Sequence, residues 1–266
     1  MQTTGRQPIH LQPSRSGGGQ VNQVADDAWR LEIPAGKAGN YRLAQIDDYA
    51  PLRRSSFPWQ PPLELSLEAR SSSAEGIPGT WGFGLWNDPF SLSLGLGGGT
   101  RRFPAFPNCA WFFFASPENY LSLRDDLPSN GSLAATFCSR HRSVPVLAVG
   151  GLFAPLLAVP WLARLIRRAA RRFVEQDAAR LELDASQWHA YRLAWQSGVL
   201  AFILDGKVVL ETNVLPYGPL GIVIWIDNQY AALPPGGGIR YGTLGNPLPA
   251  WIEVRKLSVI SQQFQI

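Results

Sequence analysis

Two short runs combine an indole with polar tips. One is Trp86-Asn87-Asp88 and the other is Trp225-Ile226-Asp227-Asn228. An indole offers a flat apolar face on which a ring can stack, and a carboxylate or amide beside it can hydrogen-bond hydroxyl groups. The plainer reading of each run is a strand end closed by a polar turn. His189, next to Trp188, has an imidazole suited to proton transfer near neutral pH, although a lone histidine on a strand is more often structural. Trp86, Asn87, Asp88, His189, Trp225, Asp227 and Asn228 form the candidate ligand-binding set.

Other chemistry finds little support. His10 and His141 have no metal-ligating neighbour at useful spacing, no cysteine–histidine cluster occurs, and no dense acidic loop suggests calcium. No metal and no cofactor are expected. Gly95 to Arg102 (GLGGGTRR) is glycine-rich but lacks the lysine of a phosphate-binding loop, and no Gly-x-Ser-x-Gly elbow is present. The catalytic residues, if any, stay unassigned.

The elements around these candidates read as short strands. Leu63 to Arg70 alternates apolar and polar residues, as Trp29 to Ile33 does. Tyr41 to Ile46, Cys109 to Ser116 and Leu133 to Cys138 are further strands. In Thr80 to Asn87, Trp81, Phe83 and Leu85 share one face; Gly82, Gly84 and Trp86 share the other, which leaves room for something to approach the backbone. From Trp188 onward, apolar runs are separated by Gln196-Ser197-Gly198 and by Asp205-Gly206, a dipeptide suited to a two-residue hairpin. This pattern predicts an antiparallel meander in one sheet that includes Ile222 to Ile226. Within that last run Ile222, Ile224 and Ile226 suit a core, and Val223, Trp225 and Asp227 face the other way.

The 22 prolines and 26 glycines punctuate an all-β chain, and 266 residues suit one large sandwich. Ten tryptophans are more than a core of this size needs, so some are expected on a binding surface. Two cysteines, Cys109 and Cys138, are too few for a disulfide framework and read as small buried side chains. Residues 1–24 are polar and read as a disordered arm without a signal-peptide core, so a reducing cytoplasm is the expected location. The domain then runs over residues 25–266.

One stretch departs from this pattern, an insertion at about 143–177. Ser143 to Ala163 carries no charge, yet Pro145, Pro155, Pro160 and Gly150-Gly151 interrupt it. Arg164, Arg167, Arg168, Arg171 and Arg172 follow at the spacing of one helical face. The uncharged run has about the length of a bilayer span. A span would separate the two halves of one sheet, which excludes it. A helical insertion packed on the sandwich with solvated arginines, a segment lying on an anionic membrane surface, a self-association surface and a lid over the binding face all remain open. The residues concerned are Leu152, Phe153, Leu156, Trp161 and the five arginines. Basic and stacking residues do not interleave along the helix, so no nucleic acid is expected.

Trp188-His189, the Asp205-Gly206 hairpin, the strand around Trp225, the closing Trp251-Ile252-Glu253-Val254-Arg255 and the earlier Leu63 to Trp86 together resemble the concanavalin-A-like lectin/glucanase superfamily, and within it the laminarinase-type glycoside hydrolases. The resemblance implies a jelly-roll sandwich of two antiparallel sheets with a concave face that binds carbohydrate. It also implies a Glu-x-Asp-x-x-Glu strand that supplies nucleophile and acid/base. The corresponding strand here, Asn108 to Glu118, has no carboxylate before Glu118. Glu175-Gln176-Asp177 and Glu182 to Gln187 match the spacing only in part. The expectation is therefore a non-hydrolytic module for a carbohydrate or another elongated, partly apolar ligand. The alternatives are an enzyme using Asp88, Asp227 or His189 in the same cleft, and an interaction protein that docks through its apolar insertion.

Overall fold

The computed structural model describes residues 4–89, 105–139 and 160–262. Two antiparallel sheets face each other, as the all-β jelly-roll reading expected. Their strands are numbered in chain order. The eight-stranded sheet runs β13 (Lys207–Thr212), β12 (Leu200–Leu204), β11 (His189–Trp195), β6 (Leu63–Ser71), β17 (Ala250–Gln262), β4 (Ala28–Ile33) and β3 (Gln20–Ala25), with β1 (Thr4–Arg6) also paired to β17. The seven-stranded sheet runs β10 (Val174–Arg180), β9 (Gly131–Ser139), β8 (Cys109–Ala115), β7 (Thr80–Trp86), β14 (Gly221–Asp227), β5 (Leu43–Asp47) and β2 (Gln12–Ser16). A small ribbon joins β15 (Gln229–Ala232) to β16 (Arg240–Thr243).

Alternation builds the eight-stranded sheet. In β6, Leu63, Leu65, Leu67 and Ala69 are buried, while the residues between them are half-exposed. The outward residues form a polar ladder. Glu253 pairs with Arg30 and Arg70, Arg255 pairs with Glu68, and the guanidinium groups of Arg30 and Arg255 lie over the rings of Trp251 and Trp188 at 4.2 and 4.0 Å. Two of the ten tryptophans are thus used as partners for arginine on this surface.

The inward residues of both sheets form the main core. Trp81 and Phe114 stack at 3.6 Å. Phe112 from β8 meets Tyr191 of β11 and Phe202 of β12 at 5.0 and 5.3 Å, so its ring spans the gap between the layers.

Three expectations need correction. Residues 4–25 are not an arm: β1 pairs with β17, β2 with β5 and β3 with β4. Strands β2 and β3 lie at sheet edges, where a strand needs little apolar surface, and this is why their polar text concealed them. The run Ile222 to Ile226 does not continue the meander. Strands β11, β12 and β13 are sequential neighbours, with Asp205 and Gly206 both at positive φ in the last turn. The chain then crosses to the other sheet, where β14 is buried on both faces. Finally, the basic helix, α1, spans Pro160–Phe173, and residues 174–177 already belong to β10. Leu152, Phe153 and Leu156 lie outside the described residues. No helix among the described residues is long and apolar enough to cross a membrane.

Phe112→Ala is expected to destabilise the chain by about 3–5 kcal/mol, because it opens a cavity between the sheets. A urea titration followed by far-UV circular dichroism measures the loss.

Candidate functional site

Strands β7, β8 and β14 are the centre of the seven-stranded sheet and are buried on both faces. One parity enters the main core. The opposite parity faces away from the other sheet, and paired residues share that outer face. The pairs Trp225–Gly82 and Gly82–Phe113 make one row across it, and Val223–Gly84 and Gly84–Trp111 make the next. A Cβ at Gly82 would stand 2.8 Å from the Trp225 ring, and one at Gly84 would stand 2.6 Å from the Trp111 Cα. The space left by the glycines is occupied by the protein's own tryptophans.

An aromatic cluster results. Trp86 and Trp225 lie parallel, 2° apart, with centroids at 6.1 Å, and Trp111 is 6.0 Å from one and 5.7 Å from the other. Phe113 and Phe137 extend the cluster from Trp111. Trp111, Phe113 and Trp225 are each 6% exposed, so a ligand reaches them only if overlying residues move. Trp86 is half-buried and is the accessible end. The outward positions of β8 are Cys109, Trp111, Phe113 and Ala115, so this strand offers no carboxylate to the outer face.

The polar candidates fall at separate places. Trp86 pairs with Gly221 and Thr80 pairs with Asp227, which puts the two ends of this ladder about 20 Å apart. At the first end, the Asn87 side chain donates to the Phe106 carbonyl at 2.9 Å and accepts from the Asn108 amide at 3.1 Å. The Asn87 and Asp88 carbonyls both accept from Arg54. Asp88 is buried at φ 50. Burial pushes the neighbouring Asp47 carboxyl above its ordinary range, and Asp88 adds to the effect. Burial likewise raises Asp48 to about 6, against hydrogen bonds from Trp59 and the Ile222 amide.

At the other end the Trp225 indole N–H donates to Thr80 Oγ1 at 3.0 Å, and the Thr80 hydroxyl donates to Asp227 at 2.8 Å. Burial raises the Asp227 carboxyl to about 7, opposed by bonds from Thr80, Gln229 and Tyr41. Asn228 is fully buried. It accepts from the Arg42 amide at 2.8 Å and donates to Asn40 and Leu244 carbonyls. The buried Arg42 guanidinium in turn donates to Asn246 and to the Gly36, Lys37 and Leu244 carbonyls. In this arrangement Asn228 ties loops together.

His189 lies in the other sheet. Its Nδ1 is 2.7 Å from Asp205 and its Nε2 is 3.0 Å from the Asp184 carbonyl, so both ring nitrogens are engaged. Trp86 and Trp225 are thus brought together; Asn87 and Asp88 follow Trp86 at one end of the pair, Asp227 is tied to the Trp225 end through Thr80, and Asn228 and His189 do not join them. Sequence reasoning missed Trp111, Phe113, Phe137, Gln45 and Tyr49 on or beside this face. The available signal was the unbroken apolar run of β8, which fits a strand covered on both sides.

The helix and one loop close the β9–β10 side. Gln176, which sits on the outer face of β10, accepts from the Leu123 amide at 2.9 Å. Arg167 is 3% exposed; it pairs with Asp125 at 2.8 Å, donates to the Ser122 carbonyl and lies over Tyr120. Arg171 reaches the same Asp125 at 2.7 Å. Beneath the loop a cavity of about 20 Å³, lined by Trp111, Phe113, Leu121, Leu133 and Phe137 among others, has room for about one water. Trp161, Arg164, Arg168 and Arg172 are exposed. Cys109 and Cys138 are buried and form no disulfide. No group of three metal-ligating side chains occurs among the described residues.

All three raised carboxyls, Asp47, Asp48 and Asp227, favour the folded chain while they stay protonated. That contribution is complete below the ordinary value of 3.8 and is lost as pH rises through about 6 for Asp48 and about 7 for Asp227. Asp227→Asn is expected to remove the upper part of this decline, read as a flatter plot of urea midpoint against pH between mildly acidic and neutral buffer. Gly82→Ala is expected to cost about 1–3 kcal/mol and to shift tryptophan emission, because the added methyl meets the Phe112 carbonyl oxygen and the Trp225 ring.

No protein-family model matches the chain, and no curated protein does. Solved structures with a similar course of the backbone include the LamA catalytic domain from Zobellia galactanivorans, at 13% identity over 90% of this chain and 79% of that one, with a TM-score of 0.47. The legume lectin-like domain from Entamoeba histolytica is 11% identical over 98% of this chain and 97% of that one, with a TM-score of 0.46. The potassium-bound Emp46p carbohydrate recognition domain is 12% identical over 96% and 89%, also at 0.47.

Proposed function

We propose that the chain is a non-hydrolytic binding module whose outer sheet face takes a carbohydrate or another elongated, partly apolar ligand. The observation that carries this reading is the parallel Trp86–Trp225 pair beside a central strand, β8, with only apolar outward positions. Parallel indoles give a ligand ring an apolar platform, and half-buried Gln45, opposite Trp225 on the adjoining strand, supplies a polar contact. A retaining glycosidase needs two carboxyl groups about 5 Å apart across the bond to be cut, and the middle of this face offers tryptophan and phenylalanine instead. Entry is at Trp86, the half-buried member of the pair.

The module works at a membrane surface, in the cytoplasm, through the exposed face of α1. Trp161 is 62% exposed and Leu165 is 53% exposed, and a helix that presents such residues beside arginines suits an interfacial position.

Tryptophan fluorescence titrated with β-glucan oligosaccharides, high-mannose oligosaccharides and a long-chain acyl amphiphile tests the ligand reading. Saturable quenching by one class is expected, weakened at least about tenfold in Trp86→Ala, with no new reducing ends after prolonged incubation. Absence of quenching by all three, or turnover that disappears in Asp227→Asn while binding survives, would count against the reading.

A further inference from the structure

Helix α1 divides its arginines. Arg167 is buried and Arg171 leans the same way, and both are committed to Asp125 of the loop after β8. Arg164, Arg168 and Arg172 point outward and are exposed. They share that side with Trp161 and Leu165. The set Trp161, Arg164, Leu165, Arg168 and Arg172 recurs at i, i+3, i+4, i+7 and i+11, one stripe of a helix. The helix contains no acidic residue. The acidic residue facing it from the neighbouring loop, Asp125, serves the inward pair.

We propose that this stripe docks the protein on an anionic lipid surface, with Trp161 and Leu165 entering the headgroup boundary and Arg164, Arg168 and Arg172 meeting lipid phosphates. The proposal rests on the membrane-surface reading above and names the lipid class and the residues. Charge complementarity selects the lipid: among the described residues no carboxylate pairs with these three outward guanidinium groups. The two exposed apolar side chains select a bilayer over a nucleic-acid backbone, which needs cations and offers a buried indole and isobutyl group little on its outer surface. Long arginine stems let the charges reach phosphates while the indole lies deeper. Arg167 and Arg171 take no part; they hold the helix to the body of the protein, so that the stripe is presented in a fixed orientation.

Vesicle flotation of the full chain tests this, with phosphatidylcholine vesicles and with phosphatidylcholine–phosphatidylglycerol vesicles, each at low and high salt. Flotation with the mixed vesicles at low salt is expected, with little on the neutral ones. Arg164→Glu/Arg168→Glu/Arg172→Glu is expected to weaken it about 100-fold or more. Trp161→Ala/Leu165→Ala is expected to weaken it about tenfold. All five positions are exposed, so an unchanged thermal transition in both variants verifies that the fold is intact. Flotation equal on both vesicle types would overturn the anionic-lipid proposal and leave the membrane reading standing. No flotation on either type would overturn both. Retained binding in the arginine variant would overturn the assignment to this stripe. Full binding in the tryptophan–leucine variant, lost only with the arginines, would identify a general polyanion surface and overturn the lipid assignment.

Discussion

The architecture depends on a sheet that is dry on both sides. Most antiparallel sandwiches bury one face and wet the other, and their strands alternate accordingly. Here β7, β8 and β14 bury both parities. The inward side chains supply the main core, and the outward ones supply a second cluster around Trp111, Phe113 and Trp225. Two glycines make this arrangement feasible. Without a Cβ at positions 82 and 84, the indole of Trp225 and the backbone of Trp111 come closer to β7 than any side chain would permit. An aromatic layer lies against the outer face of this sheet.

Polar groups at the margins of that layer are held in hydrogen-bond networks. The Trp225 N–H, the Thr80 hydroxyl and the Asp227 carboxyl form one chain of hydrogen bonds. The buried carboxyl stays satisfied because it accepts from Thr80 and from the Gln229 amide. Arg42 is buried among carbonyls and Asn246, and Asn228 binds the same loops. Buried polar groups are costly unless paired, and these networks supply the pairing at the end where β14 leaves the sheet. His189, although next to an acid, is fixed by two acceptors on the opposite layer.

Helix α1 and the loop through Asp125 form one assembly at the β10 edge. Arg167 loses much of its hydration there, and burial lowers its proton affinity against the pull of Asp125. The gain is a helix whose inner side is set by a shared carboxylate and by Tyr120, while Trp161, Arg164, Leu165, Arg168 and Arg172 are exposed. Five arginines spaced for one helical face therefore take two physical roles.

Much of the scaffold was legible in the residues. Alternation in Leu63 to Arg70, the Asp205-Gly206 turn, the two-faced run at Ile222 to Ile226 and the lack of a carboxylate in Cys109 to Ser116 follow from local chemistry, because side-chain direction in a strand has period two. The same period placed Trp86 and Trp225 on one side of their strands. What local chemistry leaves open is which strand becomes the neighbour of which. The polar strands β2 and β3 exist only because β5 and β4 offer unpaired edges. The meeting of Trp86, Trp111 and Trp225, the separation of His189 from them, and the split of the arginines are all set by long-range pairing and by one loop carboxylate, contacts between residues far apart in sequence. Residue types and spacing determined a β-sandwich rich in indoles whose Cys109 to Ser116 strand has no carboxylate; only the packing of one layer on another decided that those indoles are largely covered by the protein itself.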